Sequence, residues 1–352
     1  MDYTLLLIVV LLVVIGLVIL YSTSAYNGQV KFHDSFYYLK KQAFATVLGI
    51  VLMLFVAGMD YHIWQRLAVF GYLAAVALSV AVMLFGREIN GSKRWLALGP
   101  FSFQPSEFAK VALILFLADL VTKNVKTIGK MWTLCRIMFW ILPIVGLVGA
   151  SNLSTAIIIL GIGVILIFVA SPKYAQFALM GIAGACFMGI FLALESYRLE
   201  RLAIWRNPEK YEKGYQTLQG LYAIGSGGVF GVGIGNSVQK LGFVPEAQND
   251  MIFSIICEEL GLAGAGIIVF LFLLLIWRFF LIASGSRDLF GALIATGAMA
   301  HMMIPVIVNI AVVTNTIPNT GITLPFISYG GTSVMFLLIE MGLVLSVSQV
   351  VD

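Results

Sequence analysis

Three acids stand where a long polar stretch gives way to apolar sequence: Asp250, then Glu258 and Glu259 within the run Met251 to Gly261. An ionised carboxylate at bilayer depth loses several kcal/mol of hydration, so such residues face a protein interior or a wet cavity and commonly mark a working site. On a continuous helix Asp250 and Glu258 lie roughly 12 Å apart along the axis, too far to act as a touching acid pair. Asp250 then sits at the mouth and Glu258 about two turns deeper. An Asp in that place either caps the helix or does chemistry, and both roles are compatible.

Two other stretches bring chemistry-bearing residues together. Lys93, Arg94 and Trp95 lie in a polar loop that ends at Gln104, and Pro105 and Glu107 open the next apolar run. Proline in a first helical turn costs no hydrogen bond, and Glu107 and Lys110 then share a face at i, i+3 and pair within the membrane. Arg beside Trp suits an interfacial anchor, but the buried acid and lysine that follow exceed what anchoring needs, which points to ligand contact. The second stretch is the 55-residue loop Glu195 to Asn249, long enough to carry a function of its own. It begins with Arg198, Arg201, Trp205 and Arg206, turns glycine-rich from Gly225 to Gly235, and ends in Lys240, Glu246 and Gln248. Its glycines match no dinucleotide fingerprint; they suit backbone approaching a ligand or a re-entrant segment buried by protein. The run Pro318 to Gly331, with two prolines and three glycines, breaks any helix and ends beside Ser328. The three histidines are far apart and His301 reads as a satisfied helix residue, so no histidine metal cluster is visible.

The elements that must position these residues are membrane spans. Of 352 residues, 61% are hydrophobic and only 11% charged, with mean hydropathy +1.01, which excludes a soluble globular chain. Cys135, Cys186 and Cys257 form no motif. Apolar windows of span length fall near 4–22, 42–59, 66–85, 105–122, 134–150, 153–171, 174–194, 250–280, 288–313 and 325–348. The expectation is therefore an all-α, polytopic membrane protein of about ten spans. It forms a single domain over 1–352 with one large extracytoplasmic loop, about 195–249, between spans 7 and 8. An even number of spans puts both termini on one side. With cytoplasmic termini the basic residues of short loops number eight inside against six outside, and the long loop reverses the balance. Cations kept outside fit an anionic ligand there.

Five or six of these segments, in order, resemble the SEDS family of bacterial cell-wall polymerases, the family of FtsW, RodA and SpoVE, over nearly the whole chain. The signatures are Lys93-Arg94-Trp95 with Phe103-Gln104-Pro105-Ser106-Glu107; Trp205 with Asn207-Pro208; Gly214-Tyr215-Gln216; Ile224 to Gly228; Pro245-Glu246 through Asp250 to Gly261; and Leu324 to Gly331. Gly235 to Leu241 is closer to the FtsW and SpoVE branch. Two departures stand out: Asn152-Leu153-Ser154-Thr155 where the family usually has Asp-Leu-Gly-Thr, and Gln248-Asn249-Asp250 where it has His-Thr-Asp.

The resemblance implies a peptidoglycan glycosyltransferase of the bacterial cell membrane. It would polymerise lipid II, a disaccharide-pentapeptide on undecaprenyl pyrophosphate, on the outer face, in division or in shape and elongation. It implies a class B penicillin-binding protein as partner, membrane lipids as surroundings and no nucleic acid. The family's essential loop acid maps onto Asp250. Going from an α-linked pyrophosphate sugar to a β-linked glycan inverts the anomeric centre, so one base suffices and Asp250 is the expected one. Substrate contacts are expected from Arg94, Trp95, Gln104, Glu107, Lys110, Lys240, Glu246, Gln248, Glu258 and Ser328. A divalent cation, Mg²⁺ or Mn²⁺, fits such a pyrophosphate through Asp250 or Glu246, although no metal site is visible in the sequence. A lipid II flippase or other transporter is the alternative, since broken helices and intramembrane charges also serve transport. A scaffold that only recruits the partner would leave the intramembrane acids unexplained.

Overall fold

The computed structural model describes residues 1–89, 92–98, 101–178, 181 and 203–350. Among the described residues, nine long helices occupy nine of the ten apolar windows. They are α1 (Tyr3–Phe32), α2 (Tyr37–Ala57), α3 (His62–Phe85), α4 (Pro105–Asn124), α5 (Met131–Ser151), α6 (Leu153–Ala170), then α8 (Ile252–Gly285), α9 (Leu289–Val313) and α10 (Gly331–Ser348). A shorter helix, α7 (Tyr215–Ser226), lies within the long loop. Eight of the nine are long and apolar enough to cross a membrane. The ninth, α4, carries Glu107, Lys110, Asp119 and Lys123, and it is tolerable at that depth because most of its length is buried against α3, α6 and α9. The seventh window, 174–194, lies largely outside the described residues.

The chain ends meet on one face. The Asp2 amide donates to Ser348 Oγ at 2.9 Å, and the Asp2 carboxylate pairs with Arg278 of α8. This is the same-side placement that an even number of spans requires. The opposite, loop face carries the candidate residues. There the polar loop after α3 is a small antiparallel sheet, β1 (Arg87–Ile89), β2 (Ser92–Leu98) and β3 (Phe101–Phe103), in the order β1-β2-β3. The sequence pattern shows only a polar loop there, because both edge strands have just three residues and leave no period to detect. β2 sets Arg94 and Trp95 against the end of α3 and the start of α4.

The apolar core is one contiguous cluster running through every long helix. Helices α2 and α10 pack closely: a Cβ on Gly342 would stand 2.5 Å from the Met53 carbonyl, the small-residue contact by which helices associate where no water drives them together.

Helix α8 is broken at Gly261, whose φ of 67° and ψ of −171° lie outside helical geometry. The break frees backbone groups that lipid cannot satisfy. Residues 228–233 of the long loop satisfy them. Val232 and Gly233 amides donate to the Glu258 and Glu259 carbonyls, and the Leu262 and Ala263 amides donate to Gly228 and Val229, all at 2.9 to 3.0 Å. The glycine-rich segment is thus docked backbone to backbone on the kink, and α8 has a short first limb before its membrane-length second one.

Candidate functional site

Asp250 ends a tight turn, Pro245 to Asp250, just before α8 begins. The turn is closed by the Asn249 amide donating to the Glu246 carbonyl at 2.8 Å, and Glu246 takes a left-handed φ of 54°, an uncommon state for a residue with a side chain. Pieces remote in sequence clamp this turn. Asn309 of α9 donates Nδ2 to the backbone carbonyls of Asp250 and Ile322, both at 2.7 Å. Ser328 Oγ donates to the Asn249 carbonyl at 2.7 Å and accepts from the Leu324 amide at 2.8 Å, while the Tyr329 amide donates to the Gln248 carbonyl. Gln248 Oε1 accepts from Asn27 of α1 at 3.1 Å. Four separate chain segments therefore meet at one acid.

Asp250 as a residue is 9% exposed. Gln216 of α7 reaches both its oxygens through Nε2 at 3.4 Å, and Asn319 in turn donates to Gln216 Oε1 at 3.3 Å. Burial pushes the Asp250 carboxyl up to about 6, the Glu246 charge adds to that, and hydrogen bonds from its own amide and from Gln216 hold it back. A carboxylate poised near neutrality is suited to accepting a proton from a hydroxyl.

The residues expected around Asp250 fall into three places. Glu246, Gln248 and Ser328 are in its own turn and clamp. Lys240, through Glu259, and Glu258, through the loop, form a latch on the first limb of α8. Lys240 Nζ donates to Glu259 at 2.6 Å and to Ser22 Oγ of α1 at 2.9 Å, while Glu258 accepts from the Ser237 hydroxyl and from the Val238 amide at 3.1 Å. All of these charges are buried. Lys240 was expected as a substrate contact; here its ammonium is paired with Glu259, and Glu258 is bonded to the loop. The third group lies under the small sheet. Arg94 Nε donates to the Ser151 carbonyl at 3.0 Å, and burial lowers its guanidinium from the usual range. Trp95 follows it on β2. Gln104 donates to Ser106 at 3.1 Å, and Glu107 pairs with Lys110 at 2.9 Å, both buried, the pair their spacing called for. A small cavity beneath the sheet is lined by Arg94, Gln104, Ser106, Ser151 and Asn152. Asn152 caps α6 by accepting from the Thr155 amide at 3.2 Å, a task Asn does as well as the Asp expected there from the resemblance.

Gln216, Asn309 and Asn319 were not singled out from sequence as site residues. The signal was available in Asn309, an amide inside an apolar span, and in the Gly214-Tyr215-Gln216 signature. Among the described residues no three His, Cys, Asp or Glu side chains are grouped to hold a metal. Glu246 is exposed and acts on Asp250, so two carboxylates at most face one cation, a set that suits Mg²⁺ only when phosphate oxygens complete it.

Residues 3–352 match the protein-family model of FtsW, RodA and SpoVE, described as "Cell cycle protein". The chain is 39% identical to "Stage V sporulation protein E" of Bacillus subtilis over 99% of this chain and 97% of that one. It is 35% identical to "Probable peptidoglycan glycosyltransferase FtsW" of Trichlorobacter lovleyi over 99% and 93%. Among solved structures, a chain from "Structural coordination of polymerization and crosslinking by a peptidoglycan synthase complex" aligns with TM-score 0.85 at 30% identity, covering 99% and 97%. The crystal structure of the rod shape determining protein RodA of Thermus thermophilus aligns at 0.73 and 28%, covering 99% and 96%.

Proposed function

The chain belongs to the FtsW, RodA and SpoVE family and is a multi-pass membrane peptidoglycan glycosyltransferase; from that premise we propose that Asp250 is the general base that joins lipid II units. The observation that carries this is a buried carboxyl held near neutrality where the long loop, with its helix α7, meets α9 and the 314–330 segment.

In the reaction the acceptor sugar's 4-hydroxyl oxygen bonds to the donor's anomeric carbon. The bond from that carbon to the pyrophosphate breaks with inversion, the hydroxyl proton passes to Asp250, and the electron pair leaves with the lipid pyrophosphate. Gln216 steers the carboxylate and Asn309 fixes its backbone. Arg94 and the exposed Arg206 would supply positive charge to an anionic leaving group, whereas Lys240 and Lys110 are engaged in buried pairs. A divalent cation held by Glu246 together with phosphate oxygens would add charge neutralisation there.

The loop face is taken as outer and the shared terminal face as cytoplasmic in a bacterial cell membrane. The neighbouring solved complex, a peptidoglycan synthase, supports a class B penicillin-binding protein as partner. Purified chain reconstituted with labelled lipid II and no partner should yield glycan ladders that Asp250→Asn abolishes. Translocation of lipid II across vesicles without ladders would instead favour a flippase.

A further inference from the structure

The loop segment 227–244 presents a surface that water does not suit. Its single ionisable side chain, Lys240, is buried against Glu259. Around it Val229, Phe230, Val232, Ile234, Leu241 and Phe243 are all exposed, Phe230 at 83%. Exposed apolar side chains are unremarkable singly, but an uncharged run of this density marks a surface that something apolar covers.

The segment's position says what covers it. Its backbone is fastened to residues 258–263 by the four hydrogen bonds at the α8 kink, and Leu262, at that junction, is 72% exposed. Further along α8 the outward side chains are Ile267, Phe270, Leu273 and Trp277, the face a spanning helix turns to lipid. The loop's apolar side chains therefore continue the lipid-facing stripe of α8 without an intervening charge. On α7, just before the segment, Tyr222 is exposed, the residue type that favours a membrane–water boundary.

We propose that residues 229–243 lie within the bilayer, with their exposed apolar side chains among the acyl chains of the leaflet on the loop face. The amides and carbonyls at the kink are satisfied by the docking bonds, and the amides of Asn236, Val238, Lys240 and Leu241 by bonds to Gly233, Glu258, Ser237 and Val238, as immersion of those groups requires. The segment is then held from two sides, by lipid on Phe230 and by the Lys240–Glu259 latch on the protein, and the chain that leads from it to Asp250 starts at the lipid boundary. This inference does not depend on the reaction assigned to Asp250.

The test uses full-length chain carrying Cys135→Ser and Cys186→Ser, with Phe230→Cys or Ile234→Cys added singly and labelled with bimane. The protein is reconstituted in phosphatidylcholine and phosphatidylglycerol vesicles. Leu262→Cys serves as the lipid-facing reference and Glu209→Cys as the loop reference. Bimane at both test positions should follow Leu262: blue-shifted, and quenched several-fold more by a phosphatidylcholine with a nitroxide high on its acyl chain than by aqueous iodide. Quenching that follows Glu209, dominated by iodide, would overturn the proposal. Resistance to both quenchers would place protein rather than lipid on the segment and overturn it equally. Should Phe230→Cys fail to elute as folded protein, Ile234→Cys gives the same reading independently.

Discussion

Gln216 Nε2 stands 3.4 Å from each oxygen of the Asp250 carboxylate, across 34 residues of chain, and is itself held by Asn319. The bonds are long, so Gln216 orients the carboxylate more than it stabilises its charge. In the proposed reaction Asp250 must be ionised, so the rate of glycan formation should fall as pH drops through about 6, tenfold per unit at the acid end. Gln216→Ala removes a contact that favours the charged form, and should move that limb upward by roughly half a unit while lowering the plateau. A limb near the ordinary aspartate value of 3.8 would show that the carboxyl is solvated during turnover.

The same burial predicts a cost in stability. The folded-state carboxyl at about 6 lies above its unfolded value of 3.8, so the folded chain holds this proton more tightly. The destabilisation is complete above the folded value and absent below the unfolded one, on the order of 3 kcal/mol at neutral pH. Asp250→Asn should therefore raise the thermal midpoint at pH 7.5 while abolishing activity, and the gain should vanish near pH 4. A lowered midpoint at pH 7.5 would mean that the charge is satisfied by something the structure does not contain.

The Lys240–Glu259 latch should behave as a buried pair. Lys240→Met leaves the Glu259 charge unpaired and should destabilise by about 3 to 5 kcal/mol, whereas Lys240→Met with Glu259→Leu should recover most of the loss. Thermal melts in detergent measure the cycle. Additive losses would show that the two charges do not depend on each other.

Gly261→Ala meets two independent obstacles. Its φ of 67° disfavours any side chain, and a Cβ there would lie 2.3 Å from the Gly231 amide and 2.5 Å from the Val229 carbonyl carbon. The loop would have to leave the kink, so protease cleavage within 228–243 should accelerate together with a loss of thermal stability. An unchanged digestion pattern would contradict the docking.

What the sequence made legible follows from which signals are local. Span windows depend on composition within about 20 residues, and among the described residues nine of them are helices. The Glu107–Lys110 pair follows from spacing on one helix and is present. The pairing of Lys240 was not legible because its partners, Glu259 and Ser22, come from helices 19 and 218 residues away, and no pattern in the loop announces them. The small sheet after α3 escaped because its edge strands are shorter than any detectable period. The loop's docking escaped because it is made by backbone groups, which every residue carries.

The central claim is that one acid performs the glycosyl transfer. The direct measurement is polymerisation of labelled lipid II by purified, reconstituted chain at pH 7.5, comparing the unaltered protein with Asp250→Asn at matched folding. Glycan ladders from the first and none from the second, with lipid II still bound, is the predicted result. Ladders of equal yield from a folded Asp250→Asn protein would contradict it.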